Sequence, residues 1–197
     1  MKIHRINLLM IVIFSLIAGC FGKSPQVLNN NYDKIQMKII AVLPIKNKSD
    51  DGKISQLLRS KLLEELYFKG YSKLPLEMID TKLASLHIIS EKEGTSAIAP
   101  QALKDLLGAD AGMYCTLIEN NESKIFYAPI KIAVSCELRS TQNGEIIWNA
   151  QSESTKRNFD FTQKGLEKKS RDDFETVIDE VVNNIMKTLR DGPNLRG

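Results

Sequence analysis

The sequence predicts an α/β fold (α+β, mixed sheet) with the element order β-α-β-α-α-β-β-β-α, in which helices pack on one sheet. Three patterns predict this class. An early strand–helix–strand pattern is typical of a parallel pair with a right-handed crossover. A later stretch of alternating apolar and polar residues around a hairpin turn indicates antiparallel strands. A long amphipathic helix ends the pattern.

The first half of the domain begins with a buried strand. Residues 37–45 (MKIIAVLPI) form a nearly continuous β-branched apolar run, which suits a strand covered on both faces. Apolar residues then recur at helical spacing from Ile54 to Tyr67, and Gly70 stands where a C-terminal cap belongs. Residues 71–79 (YSKLPLEMI) predict the next strand and complete the strand–helix–strand unit.

Two short helices and a third strand follow. Asp80 can cap a helix over residues 81–88. Pro100 suits the first turn of a second helix, which ends at Gly108. Residues 111–119 (AGMYCTLIE) then predict a strand.

The second half reads as a hairpin followed by a helix. Residues 130–140 alternate in polarity, and Asn143-Gly144 is a strong hairpin signal before a partner strand that contains Trp148. The final helix has its apolar stripe from Phe174 to Leu189, and the acidic residues 172, 173 and 175 match the dipole at its expected start.

Two cysteines lie on the predicted strands. If residues 111–119 and 130–140 pair as a hairpin centred near residue 125, Cys115 and Cys136 face each other at a spacing that permits a disulfide. Two separate core thiols are the alternative, because free cysteine packs as a small hydrophobe. The sequence slightly favours the thiols, since the register is known only to a residue or two, and it leaves the bridge open.

The N-terminus predicts export and a lipid anchor. Lys2 and Arg5 precede an apolar run that is too short to span a bilayer, so a signal peptide is favoured over a buried helix. Ile17-Ala18-Gly19-Cys20 resembles the bacterial lipobox, which implies cleavage before Cys20 and its acylation. We therefore expect a signal peptide at 1–19, a lipidated Cys20 with a flexible tether at 20–36, one periplasmic domain at 37–190 and a tail at 191–197.

Composition and motifs argue against several functions. Without residues 1–19 the chain has nearly balanced charge, whereas nucleic-acid-binding proteins usually carry a concentrated basic face. The phosphate loop, the dinucleotide fingerprint, the nucleophile elbow and the zinc motif are all missing, and His87 has no ligand-spaced neighbours. We expect no cofactor, no metal and no catalysis, although carboxylates distant in sequence could still converge.

Residues 155–171 combine aromatic and basic side chains. One interpretation is a solvated loop. The other is a docking loop, in which Phe159 and Phe161 are anchors and a basic rim that includes Lys168 and Lys169 attracts an acidic partner.

The segments IAPQALKDLLGADAGMYCTL and IKIAVSCELRSTQNGEIIW, together with IIAVLPIKNKSDD, resemble a family of bacterial lipoproteins of unknown function typified by a meningococcal genome-derived antigen. The match rests on Leu107 to Asp110 before a strand, and on a strand–turn–strand that ends at Trp148. The resemblance implies a fold like the TolB N-terminal domain and the CsgG periplasmic domain. It also implies an anchor in the periplasmic leaflet of the outer membrane and a CsgG-like lipoprotein as partner.

The expected function is therefore a non-enzymatic interaction module of the cell envelope. Phe21 supports the outer membrane, because aspartate at that position is the usual signal for inner-membrane retention. The alternative is a lipoprotein regulator of peptidoglycan synthesis, since activators of the synthases share this general fold.

Replacing Cys20 with Ala tests the predicted anchor. We expect unlipidated or uncleaved protein, because the acylated sulfur is lost and buried methylenes provide the membrane affinity, about 0.8 kcal/mol each. Metabolic labelling with a palmitate analogue and membrane fractionation measure the outcome. Unchanged processing and anchoring in this variant would disprove lipidation at Cys20.

Overall fold

The computed structural model describes residues 26–30, 37–47, 52–85, 98–120, 127–159 and 162–195. Within these ranges the strands are β1 (Gln26–Asn30), β2 (Ile40–Val42), β3 (Lys46–Asn47), β4 (Ala111–Asn120), β5 (Tyr127–Ser140) and β6 (Ile146–Phe159). The helices are α1 (Gly52–Phe68), α2 (Leu76–Ser85), α3 (Pro100–Leu107), α4 (Gln163–Met186) and a short 3-10 helix, Pro193–Leu195.

The strands form one mixed sheet in the order β1-β6-β5-β4-β2. β2 and β3 lie one after the other along the same edge of β4, and both run parallel to it. The pairs β4–β5, β5–β6 and β1–β6 are antiparallel. This arrangement confirms the predicted mixed α/β class.

The sheet is buried on both faces at β2 and β4 because separate pairs of helices cover the two faces. On one face α1 and α4 pack against apolar residues of β4, β5 and β6, around the fully buried Trp148. On the other face α2 and α3 pack against Ala41, Leu43 and Tyr114. The indole nitrogen of Trp148 donates to Thr188 Oγ1 at 3.1 Å, which ties the sheet to the chain just after α4.

The hairpin of β4 and β5 has the register in which the two cysteines face each other, one of those that the sequence left open. Cys115 is the direct partner of Cys136, with a Cα–Cα distance of 4.2 Å, and the two sulfurs form a disulfide. Of the two alternatives that the sequence leaves open, the structure therefore contains the bridge. The predicted turn between β5 and β6 is also present, and Gly144 has the positive φ of 73° that its position requires.

Two charged side chains hold the two ends of β2. At its start, the carboxylate of Asp110 accepts from the backbone N–H groups of Lys38 and Ile39 at 2.9 and 3.1 Å. At its end, the buried guanidinium of Arg59 donates twice to the Val42 carbonyl, at 3.0 Å each, and also donates to Asp80. A strand of only three residues is thereby fixed at both termini.

The predicted strand at 71–79 is wrong. Only Ser72 forms a bridge, parallel to Ile39, and α2 already begins at Leu76. Leu74, Leu76 and Met78 alternate as in a strand. However, the buried residues of α2 are Ile79 and Leu83, whose spacing is that of a helix packed on the sheet.

The expected domain limits are also too narrow. Part of the predicted tether, residues 26–30, forms β1 and pairs with β6, which would otherwise expose its backbone at the sheet edge. The predicted tail packs as well, because the Gly192 N–H donates to the Lys69 carbonyl at 2.6 Å. A Cβ at Gly192 would lie 2.6 Å from the carbonyl oxygen of Gly70, so only glycine fits there.

The last helix begins earlier than predicted. Thr162 caps it, since its hydroxyl accepts from the Gly165 N–H at 3.1 Å. Asp172 and Asp173 therefore lie inside α4 and not in its first turn, where the dipole would favour them. Asp173 instead forms an ion pair with Lys156 of β6.

Arg59→Met should destabilise the domain by about 2–3 kcal/mol, because the buried Val42 carbonyl loses two bonds from a charged donor. Urea-induced unfolding measures this change. Gln56→Met is the matched control, since residue 56 is exposed on the same helix and its substitution should cost less than about 0.5 kcal/mol. Equal effects of the two substitutions would contradict the proposed role of Arg59.

Removing the disulfide with Cys115→Ala and Cys136→Ala should cost roughly 3 kcal/mol, since the bridge closes a loop of about 20 residues in the unfolded chain. A reducing agent should lower the unfolding midpoint of the wild type and leave that of the double variant unchanged. Two free thiols in the oxidised, mature protein would contradict the bridge.

Candidate protein-interaction surface

The structure divides the predicted docking segment between two elements. Phe159 ends β6 opposite Tyr127, whereas Lys168 and Lys169 belong to α4. Phe161 lies outside the described residues, as do Cys20 and His87. Residues 155–171 are therefore not a single loop, because β6 extends to Phe159 and α4 begins at Gln163. A docking role for the aromatic and basic side chains of this segment stays a prediction.

The buried charge of Arg59 has a structural role. Arg59 is 7% exposed and lies against β2. Burial lowers its pKa, and the hydrogen bond to Asp80 opposes that shift. Every contact of Arg59 described above positions α1, α2 and the end of β2, so the group has a structural explanation.

A polar groove of about 270 Å³ lies between α1 and α4. Its lysine, Lys61, bonds to Asp179 at 3.0 Å and to Glu175 at 3.1 Å. These hydrogen bonds raise the pKa of Lys61, the bond to Asp179 most strongly. The amine is thus held protonated, the wrong state for a general base. The two ion pairs explain the position of Lys61 in this groove.

Among the described residues, no three His, Cys, Asp or Glu side chains gather as ligands for an ion. Within the part of the chain that the structure covers, none of the helices is both long enough and apolar enough to cross a bilayer.

The α1-end patch, which we define as Tyr67, Phe68 and Leu195, is the most prominent apolar surface of the described residues. These side chains are 57%, 67% and 55% exposed. The two rings lie 6.0 Å apart, and the Lys73 ammonium lies 6.0 Å from the Tyr67 ring centre. Aromatic side chains with this exposure are typical anchors of protein interfaces.

The end of α1 creates this patch. Gly70 has a φ of 84°, its N–H donates to the Tyr67 carbonyl, and the Tyr71 N–H donates to the Leu66 carbonyl. This pair of bonds is a Schellman cap. The C-terminal segment then packs on the cap, with an N–H···O bond of 3.2 Å from Asn194 to Gly70, and Leu195 lies against Gly70, two residues after Phe68.

The rim of the patch is mostly basic. Lys73 and Arg190 are exposed, and Lys69 pairs with Asp191 at 2.7 Å. The Tyr71 hydroxyl donates to the Arg190 carbonyl at 2.8 Å, which holds this part of the chain against the turn. A partner for this surface would combine apolar and acidic side chains.

Sequence reasoning missed this surface because it assigned Tyr67 to the buried stripe of α1 and residues 191–197 to a tail. A signal for the aromatic pair was nevertheless present. Leu66 is buried, and successive residues of a helix are 100° apart, so Tyr67 and Phe68 point progressively away from the core. Nothing in the sequence pattern indicated that Leu195 would join them.

Comparisons with known proteins agree with this fold. The family model described as "Putative lipoprotein GNA1162-like" matches residues 29–194. The crystal structure of lipoprotein GNA1162 from Neisseria meningitidis has a TM-score of 0.56 at 18% identity, over 73% of this chain and 97% of that one. A PelC dodecamer from Paraburkholderia phytofirmans has a TM-score of 0.52 at 14% identity, over 83% of this chain and 95% of the PelC chain.

At these identities the two structures show a shared fold and nothing more. No curated protein matches the sequence. The family match, in contrast, covers most of the chain and includes the segments that carried the sequence resemblance. The chain therefore belongs to the GNA1162-like family of lipoproteins.

Proposed function

We propose that this protein is a lipid-anchored, non-enzymatic module of the cell envelope, and that it binds another envelope protein through the α1-end patch. The single observation that carries the proposal is the exposure of the neighbouring Tyr67 and Phe68 rings, together with that of Leu195, which packs on Gly70 just after them. Monomeric proteins seldom expose large apolar side chains in clusters, and such clusters mark interaction sites.

The family supports the anchor. Membership in a lipoprotein family implies an exported protein held to a membrane by lipid. The lipobox-like stretch that ends at Cys20 supplies the acylated residue in our proposal, and the periplasmic leaflet of the outer membrane is its destination because Phe21 follows.

The chemistry of the domain supports a binding role. The buried Arg59 and the half-buried Asp110 bond to the backbone of β2 or its approach, and Lys61 is held protonated. The partner that we propose is a CsgG-like secretion or assembly lipoprotein, as the family resemblance implies. Its contact surface should be apolar with acidic neighbours, to match Lys73 and Arg190.

Co-purification from gently solubilised membranes tests the proposal. Tyr67→Gln with Phe68→Gln should reduce recovery of a CsgG-like partner at least tenfold, since the loss of two anchors should exceed about 1.4 kcal/mol. Met78→Gln is the matched control, because Met78 is 38% exposed on α2 and its substitution should leave recovery unchanged.

Three outcomes would contradict this proposal. Recovery of a lone monomer from the wild type would exclude a stable assembly role. Recovery of a class A penicillin-binding protein in place of a CsgG-like lipoprotein would instead indicate a regulator of peptidoglycan synthesis. Equal recovery with both variants would remove the α1-end patch from the interface.

A further inference from the structure

We propose that the α1-end patch also binds a second copy of this chain, in a symmetric dimer whose two α1 helices pack antiparallel. The inference rests on the proposed function, because the same patch serves as the interaction surface in both. It goes beyond that function in naming a second occupant, with which an envelope partner would compete for the patch.

The order of side chains along α1 is the first observation. Glu64 lies one turn before Tyr67 and Phe68, on the same exposed side of the helix, because residues three and four apart share a face. Lys73 is also exposed and follows the cap that ends the helix. The surface therefore changes from acidic to aromatic to basic in the direction of the helix axis.

The two charges at the ends of this series are the second observation. In the described part of the chain, neither Glu64 nor Lys73 forms an ion pair. The nearby Lys61 and Lys69, in contrast, are both paired with carboxylates of their own chain. The Lys73 ammonium lies 6.0 Å from the centre of the Tyr67 ring, so this charge is beside an aromatic anchor and accessible to a carboxylate from outside.

A two-fold axis through the aromatic centre makes this series complementary to itself. An isologous dimer uses the same patch on both copies, so Glu64 of each copy contacts Lys73 of the other. Antiparallel packing of the two helices places the acidic end of one patch at the basic end of the other, with the rings between them. A parallel arrangement would oppose like charges, which disfavours association.

The size of the patch predicts a weak contact in solution. Each copy contributes its three exposed apolar side chains and a charged rim, so the two copies together bury on the order of 1,000 Å², the lower limit for a specific interface. The proposed lipid anchor confines both copies to one membrane and raises their effective concentration. A contact that is weak in solution can therefore form between anchored copies.

Energy transfer between donor-labelled and acceptor-labelled copies tests the dimer, with the full lipidated chain in phosphatidylcholine vesicles. Gln56→Cys provides the labelling site, because residue 56 is exposed on α1 and the pair Cys115–Cys136 is bridged. In this background, Glu64→Lys alone or Lys73→Glu alone should weaken association by roughly tenfold or more, since each dimer then opposes like charges twice.

A mixture of the two charge variants is the decisive sample. One chain then has lysine at both positions and the other has glutamate at both, so every contact in the mixed dimer joins opposite charges. Energy transfer should return to the level of the unreversed chain. Glu145→Lys and Lys104→Glu are the matched controls, since both residues are exposed elsewhere, and each should leave the transfer unchanged.

Energy transfer no higher than that of randomly distributed copies would overturn the inference. Transfer that the single reversals leave unchanged, or that the mixture does not restore, would also overturn it. These results are distinct from failure of the proposed function, because the vesicles contain no other protein. A chain that dimerises here and yet recovers no envelope partner from membranes would contradict the proposed function alone.

Discussion

The short strand β2 is the constraint on which the rest of the structure depends. It has three residues and is completely buried, so it lacks the length to stabilise itself through ladder hydrogen bonds. Asp110 satisfies the N–H groups at its approach, and Arg59 satisfies the carbonyl at its end. Because Ala41 faces one core and Ile40 and Val42 face the other, β2 joins the two layers of helices to one sheet.

This constraint explains the sequence features that the family resemblance rests on. Asp110 lies between the cap of α3 and the start of β4 at Ala111, so the motif from Leu107 to Asp110 places a carboxylate at the backbone before β2. Thr141 donates to the Ala109 and Asp110 carbonyls at 2.8 and 2.9 Å and fixes the same corner from the β5 side. The motif is therefore structural, and the interaction surface that we propose lies elsewhere.

The elements with strong local signals could be predicted from the sequence. The hairpin of β4 and β5 was predicted from its two alternating strands, whereas its register was left open to a residue or two, and with it the pairing of Cys115 and Cys136. The start of α4 was missed, because its cap at Thr162 precedes a polar stretch without an apolar stripe. The strand β1 was missed because five residues of mixed polarity become a strand only when β6 is beside them.

The candidate site was the least predictable part. Arg59 lies on the apolar face of α1, where a charged side chain is not expected from the sequence pattern. Its presence there is explained by its bond to the Val42 carbonyl, a contact that only the folded structure reveals. The α1-end patch contains residues that are more than 120 positions apart in the sequence. They come together because the backbone at Gly192 packs on the backbone at Gly70, and no pattern of side chains encodes such a contact. Surfaces of this kind arise from tertiary packing alone.

A photo-reactive phenylalanine analogue at position 68, introduced into the full chain in living cells, tests most directly whether the α1-end patch is a protein-binding surface. The account predicts a discrete protein adduct at position 68 that is absent when the analogue replaces Lys104, an exposed residue of α3. No adduct at position 68, or equal adducts at both positions, would contradict it.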